Sequence, residues 1–313
     1  VTPALADANN GNWQTASRWA RMLRADYRVT LLDCWQGEPA DILIALHARR
    51  SARSIERWSR ARPADPLVVV LTGTDLYGDI HADPSAQHSL DLADALVVLH
   101  ERGVDDLPAR YRAKAVTCIQ STTTRTTLAK TPRHLRAVMV GHLRDEKAPG
   151  TYFAAARKLA ARTDILLDHV GAALDPALGA QAQALQQRCP GYRWLGALPH
   201  ASTRGHIQRA HALVHTSRIE GGAHVLMEAI CSGTPVLATR IAGNVGMLGS
   251  DYAGYFDPGD AAGLAALLER CRDEPAILDA LRGQGAARAP LFEPARERAT
   301  LRALLDDLLE KPR

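Results

Sequence analysis

At 313 residues the chain is long for one domain and comfortable for two. Hydrophobic residues at 46% and charged residues at 23% exclude a disordered chain, and a scattered net charge of +4 gives no basic footprint for nucleic acid. Five cysteines, Cys34, Cys118, Cys189, Cys231 and Cys271, lie far apart without a CxxC pair. That spacing excludes a disulfide framework or a cysteine zinc site and points to a reducing, cytoplasmic setting. No apolar run approaches the roughly 18 residues of a membrane span, and no signal peptide is visible. The chain opens at Val1 in a Thr2-Pro3 loop, so a first strand is expected upstream.

In chain order, helical spacing runs first over residues 13–25. There Trp13, Ala16, Ala20 and Leu23 make an apolar stripe suited to packing on a sheet, which outweighs a membrane role for the neighbouring Trp19, Arg18, Arg21 and Arg24. Short apolar strands follow at 29–32, 41–46, 67–71, 95–99 and 115–119, with a helix at 54–60. Alternation of this kind predicts a parallel, doubly wound sheet with ligands at the carboxyl ends of the strands. A Lys-Thr-Pro-Arg-His segment near 129–134 reads as a hinge. A second series then gives strands at 137–140, 165–170, 192–195, 212–216, 235–238 and 254–256 and helices at 151–162, 177–188 and 261–270. The tail carries Pro294 and the stripe Leu301, Leu304, Leu305, Leu308 and Leu309, which suits a closing helix returning to the first domain. The expected α/β architecture is two Rossmann-like domains facing a cleft: residues 1–132 completed by 293–313, and residues 133–292.

One segment carries more chemistry than the rest. In residues 220–228, Glu220 and Glu228 bracket Gly221, Gly222, Ala223 and His224 at a helix entrance, where free backbone N–H groups favour an anion. Glu228 sits among Val225, Leu226, Met227, Ala229 and Ile230, and a carboxylate in that company needs strong donors. Ribose hydroxyls beside a diphosphate would supply them. Upstream, Gly141 closes a strand and is followed by Arg144 and Lys147, two cations able to converge on one diphosphate. Together these features read as a nucleotide-sugar site.

Five elements occur in order: Gly141-x-x-Arg144-x-x-Lys147, Ser217-x-x-Glu220-Gly221, Glu228-Ala229, Ser232-Gly233-Thr234-Pro235-Val236 and Asp257-Pro258-Gly259-Asp260. In these the second half resembles GT-B glycosyltransferases of the large retaining family 4. The resemblance implies pyrophosphate contacts from Arg144 and Lys147, ribose binding by Glu228, donor-sugar contact by Glu220, and backbone contacts from Gly221 to His224. The family pattern is not kept at Ile241-Ala242-Gly243-Asn244-Val245-Gly246, where Gly246 stands at the usual acidic position.

The first half narrows the reading. Residues 2–13, Leu46-His47-Ala48-Arg49-Arg50-Ser51-Ala52, Leu71-Thr72-Gly73-Thr74-Asp75-Leu76-Tyr77 and Gln120-Ser121 resemble the selenosugar synthase branch of these enzymes. That branch joins selenophosphate to the sugar of a UDP-sugar (UDP-GlcNAc or UDP-glucose), forming a C–Se bond and releasing UDP. The residues themselves suit a small anionic acceptor. Gly11 permits close backbone approach, Asn10 and Asn12 can hydrogen-bond an anion without adding charge, and Arg49 and Arg50 offer bidentate contacts or a solvated helix start. His47 at a strand end can orient the donor or move a proton. Asp75, behind Thr74, either positions hydroxyls or caps the turn after it.

The expected catalytic set is therefore Glu220, His47 and Asp75, with Asn10, Gly11, Asn12, Arg49, Arg50 and Thr74 on the acceptor side. No Asp-x-Asp stands in a donor position, so neither a metal ion nor a cofactor is expected. The expected partners are small-molecule substrates only, without nucleic acid or stable membrane insertion. A conventional family-4 transferase acting on a carbohydrate or lipid is the alternative. A UDP-sugar epimerase and a non-catalytic nucleotide-sugar sensor are further rivals.

Overall fold

A computed structural model describes residues 1–3 and 11–310, and the chain divides into two compact units. Unit 1 comprises Val1–Ser121, Glu220–Gly222 and Phe292–Arg313; unit 2 comprises Thr122–Ile219 and Ala223–Leu291.

Unit 1 is built on four parallel strands, β1 (Leu43–Leu46), β2 (Leu67–Val70), β3 (Ala95–Val98) and β4 (Ala115–Thr117), side by side in that order. Alternating residues divide between the two faces, as the two-residue period of a strand requires. Leu43, Ala45, Leu67, Val69, Leu96 and Val98 pack with Ile55, Trp58 and Leu90 of α2 (Ala52–Ala61) and α4 (Pro84–Leu92). Leu46, Val68, Val70, Ala95 and Val97 pack with α1 (Gly11–Leu23) and α12 (Pro294–Glu310). A π-helical turn, Asp75–Asp79, follows β2 and runs into α3 (Ile80–Ala82).

Two expectations for this half are corrected. Residues 29–32 form no strand among the described residues. Val29 and Leu31 pack against the core and Leu32 O accepts from Thr2 N (2.9 Å), but no ladder forms, because pairing needs a neighbour that apolar character alone does not supply. In α1, Trp19 rather than Trp13 is buried beside Ala16, Ala20 and Leu23. The burial of Trp19 is explained by its partner, since its Nε1 donates to Glu297 Oε1 (2.6 Å).

Glu297 fixes the last helix. Its carboxylate is wholly buried and receives Arg18 Nε (3.0 Å) and Nη2 (3.1 Å), Trp19 Nε1, and the amide (2.8 Å) and hydroxyl of Ser121. One carboxylate thus ties α12, α1 and the exit of β4 together, as the expected closing helix requires.

Unit 2 holds six parallel strands, β5 (Leu135–Val140), β6 (Ile165–Val170), β7 (Tyr192–Trp194), β8 (Ala212–His215), β9 (Val236–Thr239) and β10 (Tyr255–Phe256). Their spatial order is β10-β9-β8-β5-β6-β7. The helices used below are α5 (Pro149–Lys158), α6 (Pro176–Arg188), α7 (His200–Arg209), α8 (His224–Ile230), α9 (Ala242–Leu248), α10 (Ala261–Asp273) and α11 (Pro275–Arg288). Proline at the start of α5, α6 and α11 and the side-chain caps Asp175 and Asp260 mark where these helices begin. Asp168 on β6 ties three strands at once, pairing with Arg136 of β5 (2.9 Å) and Arg193 of β7 (2.9 Å).

Glu297→Ala leaves five donors without their acceptor. The expected outcome is a loss of about 3 kcal/mol in the stability of unit 1, measured by chemical denaturation; an unchanged midpoint would contradict the role given to this carboxylate.

Candidate functional site

The strand order of unit 2 reverses at β5. The chain runs from β5 outward through β6 and β7, then returns to the opposite side of β5 as β8. At such a reversal the following connections diverge and open a crevice at the carboxyl ends. Residues 141–147 leave β5 there, and residues 216–219 leave β8 beside them.

The two loops are tied together. Thr216 Oγ1 donates to Lys147 O (2.7 Å), Arg218 N to Glu146 O (2.9 Å), and Arg218 Nη2 to Asp145 O (2.9 Å). Gly141 and Leu143 are held from the other side by Val170 O (2.9 Å) and Ala172 O (2.8 Å). A Cβ on Gly171 would stand 1.9 Å from Gly141 O, so this backbone approach requires glycine. Beneath the loop, buried His169 donates from Nε2 to Gly141 O (3.1 Å), and Tyr192 Oη donates to its Nδ1 (3.1 Å). Burial pulls the His169 pKa down to about 4, so the ring is neutral and keeps that donor arrangement.

This framework carries the predicted cations. Arg144 is extended (φ −153°) ahead of the turn Asp145–Lys147. Its Nε is buried without a hydrogen bond, and its ion pair with Glu146 is long at 3.9 Å. The Lys147 stem lies against Gly141, where an added Cβ would meet its Cδ at 3.5 Å. His142, half-buried, accepts from Ala172 N through Nδ1 (3.0 Å), and its pKa is lowered by burial and then by Arg144 and Lys147.

The segment 220–228 is organised differently from the expectation. Glu220–Gly222 belong to unit 1, where a Cβ on Gly221 would stand 2.5 Å from Gly73 N and one on Gly222 2.9 Å from Leu99 Cβ. The glycine pair is thus required by close packing. Ala223 precedes α8, donating its N–H to Met247 Sδ (3.3 Å), and His224 is the first helical residue. α8 itself is short, with seven residues.

Glu228 is buried as expected, but its donors come from α7, which the sequence reading did not single out. His200 Nε2 donates to Glu228 Oε1 (2.6 Å), and Arg204 Nε lies 3.9 Å from the same oxygen. The departure at 241–246 becomes α9. Its buried Asn244 donates to Thr239 O (2.9 Å), Thr239 Oγ1 donates to Ser217 O (2.6 Å), and Gly246 O accepts from Arg288 Nη2 (3.2 Å).

Unit 1 gathers a second set of predicted residues at the ends of β1 and β2. His47 is buried with φ +72°, a strained conformation for a residue with a side chain. Arg50 N donates to its Nδ1 (3.4 Å), and its Nε2 donates to Thr74 Oγ1 (3.1 Å). Burial lowers its pKa and the nearby Arg50 and Arg49 act in the same sense, opposed by Asp75 and Asp79. Arg49 pairs with Asp79 at 3.0 Å, and Asp79 Oδ2 also lies 3.8 Å from His47 Nε2. Arg50 is exposed and without an ion pair among the described residues. Asp75, wholly buried, accepts from Ala48 N (3.0 Å), Thr72 N (2.8 Å) and Gly73 N (3.0 Å), so its carboxylate shapes the two loops from within. Gly11 and Asn12 form the first turn of α1, where an approach loop was expected, and Asn10 lies outside the described residues.

Among the described residues no group of three or more His, Cys, Asp or Glu side chains is placed to hold a metal ion. No helix among them is long and apolar enough to cross a membrane.

The family model for glycosyl transferases group 1 matches residues 120–286, more than half of the chain. The chain belongs to glycosyl transferases group 1. Solved structures agree in fold. Sucrose-phosphate synthase from Thermosynechococcus elongatus superposes with a TM-score of 0.71 at 18% identity, covering 86% of this chain and 73% of that one. The pneumococcal O-GlcNAc transferase GtfA, solved in complex with UDP and GlcNAc, gives 0.70 at 17% identity, covering 86% of this chain and 57% of GtfA. Anabaena Alr3699/HepE, solved in complex with UDP and glucose, gives 0.69 at 16%, with 85% and 77% covered. The chain thus spans little more than half of GtfA and about three quarters of the other two. Its fold is GT-B, and the switch-point loops of unit 2 lie within the residues that the family model matches.

His169 gives this framework a pH dependence. Its folded pKa of about 4 lies below the ordinary histidine value, so the neutral form favours folding. Its contribution is complete above about pH 6.5 and is lost as the pH falls towards 4, by up to ~1.4 kcal/mol per unit. His100, also buried and lowered to about 4, acts in the same sense. Denaturation midpoints between pH 7 and 4.5 should fall in the wild type and fall less in His169→Gln; parallel slopes would remove His169 from the account.

Proposed function

We propose that this glycosyl transferase takes a UDP-sugar as donor and selenophosphate as acceptor. In this reading it releases UDP and forms a carbon–selenium bond. The donor half is carried by one observation: the loops after β5 and β8 are tied together at the strand-order reversal, with Arg144 and Lys147 on that framework. Arg144 and Lys147 meet the diphosphate, backbone from Gly141 and from Gly221 to His224 lines phosphate and sugar, Glu228 meets ribose hydroxyls, and Glu220 contacts the donor sugar. The UDP complexes of the GtfA and Alr3699/HepE structures support this choice of nucleotide.

The acceptor half rests on the first-half motifs and on the cluster His47, Thr74, Arg49, Arg50 and Asp79 of unit 1. Arg49 and Arg50 supply charge for a phosphate-like group, and the neutral His47 holds Thr74 in place. Asp75 acts by shaping the loops that carry them. Gly11 and Asn12 form the start of α1 and Asn10 precedes them in sequence; all three stay on the acceptor side of this reading.

In the reaction, a selenium lone pair forms the bond to the anomeric carbon. The carbon–oxygen bond to the diphosphate breaks and its electron pair leaves with UDP, whose charge Arg144 and Lys147 offset. Water then cleaves the selenium–phosphorus bond, giving phosphate and the selenosugar. Selenium is soft and highly nucleophilic, so little base assistance is needed, and the pathway uses neither a metal ion nor a cofactor.

The test is UDP release from UDP-glucose and from UDP-N-acetylglucosamine, under anaerobic conditions, with and without selenophosphate. Selenophosphate-dependent release and a selenium-bearing sugar in the mass spectrum are expected. UDP binding without such release would discard this acceptor and favour the conventional carbohydrate or lipid acceptor. Arg144→Ala and Lys147→Ala should each lower turnover at least tenfold while the far-ultraviolet circular dichroism is kept. Normal turnover in both would remove the diphosphate assignment.

A further inference from the structure

Glu228 is an unusual carboxylate even beside the other buried acids of the chain. Glu297 receives five donors and Asp168 two guanidinium groups, whereas Glu228, only 5% exposed, has a single hydrogen bond, from His200 Nε2 to Oε1. Its Oε2 has no hydrogen-bond partner among the described residues. An ionised carboxylate can accept about four hydrogen bonds, so most of its capacity is unused. The neighbouring Arg204 is in a similar state. Its Nε is buried without a hydrogen bond, 3.9 Å from Glu228 Oε1, while its Nη1 and Nη2 are taken by Thr123 Oγ1 (2.8 Å) and Thr123 O (2.5 Å).

The helix that carries His200 and Arg204, α7, is firmly seated. Beyond the Arg204 contacts, Gln208 Nε2 donates to Thr126 O (2.7 Å), Lys130 Nζ donates to Gln208 O, and Thr234 Oγ1 donates to Ile207 O (2.9 Å). His200 therefore reaches Glu228 from a fixed platform. Its own side chain is 54% exposed, so packing does not explain its position.

We infer that His200 is a positioning residue for nucleotide binding: it holds Oε1 of Glu228 so that Oε2 is presented to the vicinal hydroxyls of the donor's ribose. This rests on the reading that Glu228 meets the ribose, and it adds the group that orients the carboxylate. A neutral polyol is the ligand class that suits the arrangement, because each hydroxyl donates to the carboxylate without bringing another negative charge. Arg204 anchors the far side through Thr123 and limits how far the carboxylate can turn.

The experiment compares UDP with 2′,3′-dideoxy-UDP by calorimetry on wild type, His200→Phe, His200→Gln and Glu228→Gln, alongside kcat and KM for UDP release. His200→Phe keeps the bulk and removes the donor. It should weaken UDP about tenfold, the size of one charge-assisted hydrogen bond, leave dideoxy-UDP binding as in the wild type, and raise KM more than it lowers kcat. His200→Gln, which retains an N–H donor, should recover most of the affinity. Equal weakening of both nucleotides by His200→Phe, or no weakening of either, overturns the inference. If Glu228→Gln discriminates between the two nucleotides while His200→Phe does nothing, the positioning role alone falls. If Glu228→Gln does not discriminate, the ribose reading falls and takes this inference with it.

Discussion

A carboxylate removed from water must be met by donors, and four buried acids organise this protein under that constraint. Asp75 gathers backbone N–H groups from the loops after β1 and β2. Glu297 closes unit 1 by joining α12 to α1 and to the exit of β4. Asp168 fastens β5, β6 and β7 through two arginines. Glu228 alone is left with most of its accepting capacity open. The first three are satisfied and hold the framework, and the fourth marks where the framework has been left ready for something else.

The same division separates scaffold from site at the strand-order reversal of unit 2. His169, Tyr192, Gly171 and Ala172 are committed to the backbone of the loop after β5, and Thr216 and Arg218 bind that loop to the one after β8. Their hydrogen bonds fix two loops that propensity alone would leave mobile. Arg144 is held on that framework with its Nε free of any hydrogen bond among the described residues. A cation kept in place by its backbone loses little conformational freedom when an anion arrives, which favours binding. In unit 1, His47 at positive φ and the π-helical turn at Asp75–Asp79 are the local irregularities, and both lie at strand ends, where ligands of such sheets are met.

Membership of glycosyl transferases group 1 rests on the half of the chain where chemistry is most tightly spaced in sequence. The motifs that the sequence offers there are local: Gly141, Arg144 and Lys147 lie within seven residues, and Glu220 to Glu228 within nine. Short spacing keeps Gly141, Arg144 and Lys147 on one loop after β5, whereas the segment 220–228 is divided between the two units. The first half has no such compact signature. His47 and Asp79 are 32 residues apart in sequence and lie 3.8 Å apart in the fold.

The sequence by itself determined the α/β class, the parallel strands of the second half and the returning last helix. Period-two apolar runs, turn residues and short-range spacing act locally and survive without knowledge of neighbours. It misjudged residues 29–32, because a strand exists only where another strand accepts its hydrogen bonds. It chose Trp13 over Trp19, because the partner that draws Trp19 inward is Glu297, 278 residues away. It read the glycine pair at 221–222 through its N–H groups and could not show the close packing against Gly73 and Leu99, which also calls for glycine. It named Glu228 and missed His200 and Arg204, since nothing in a helix whose residues lie 28 and 24 positions earlier announces which carboxylate it will face. Tertiary structure alone decided the partners of the buried charges, because desolvation is set by everything that packs around a group, and most of that lies far away in sequence.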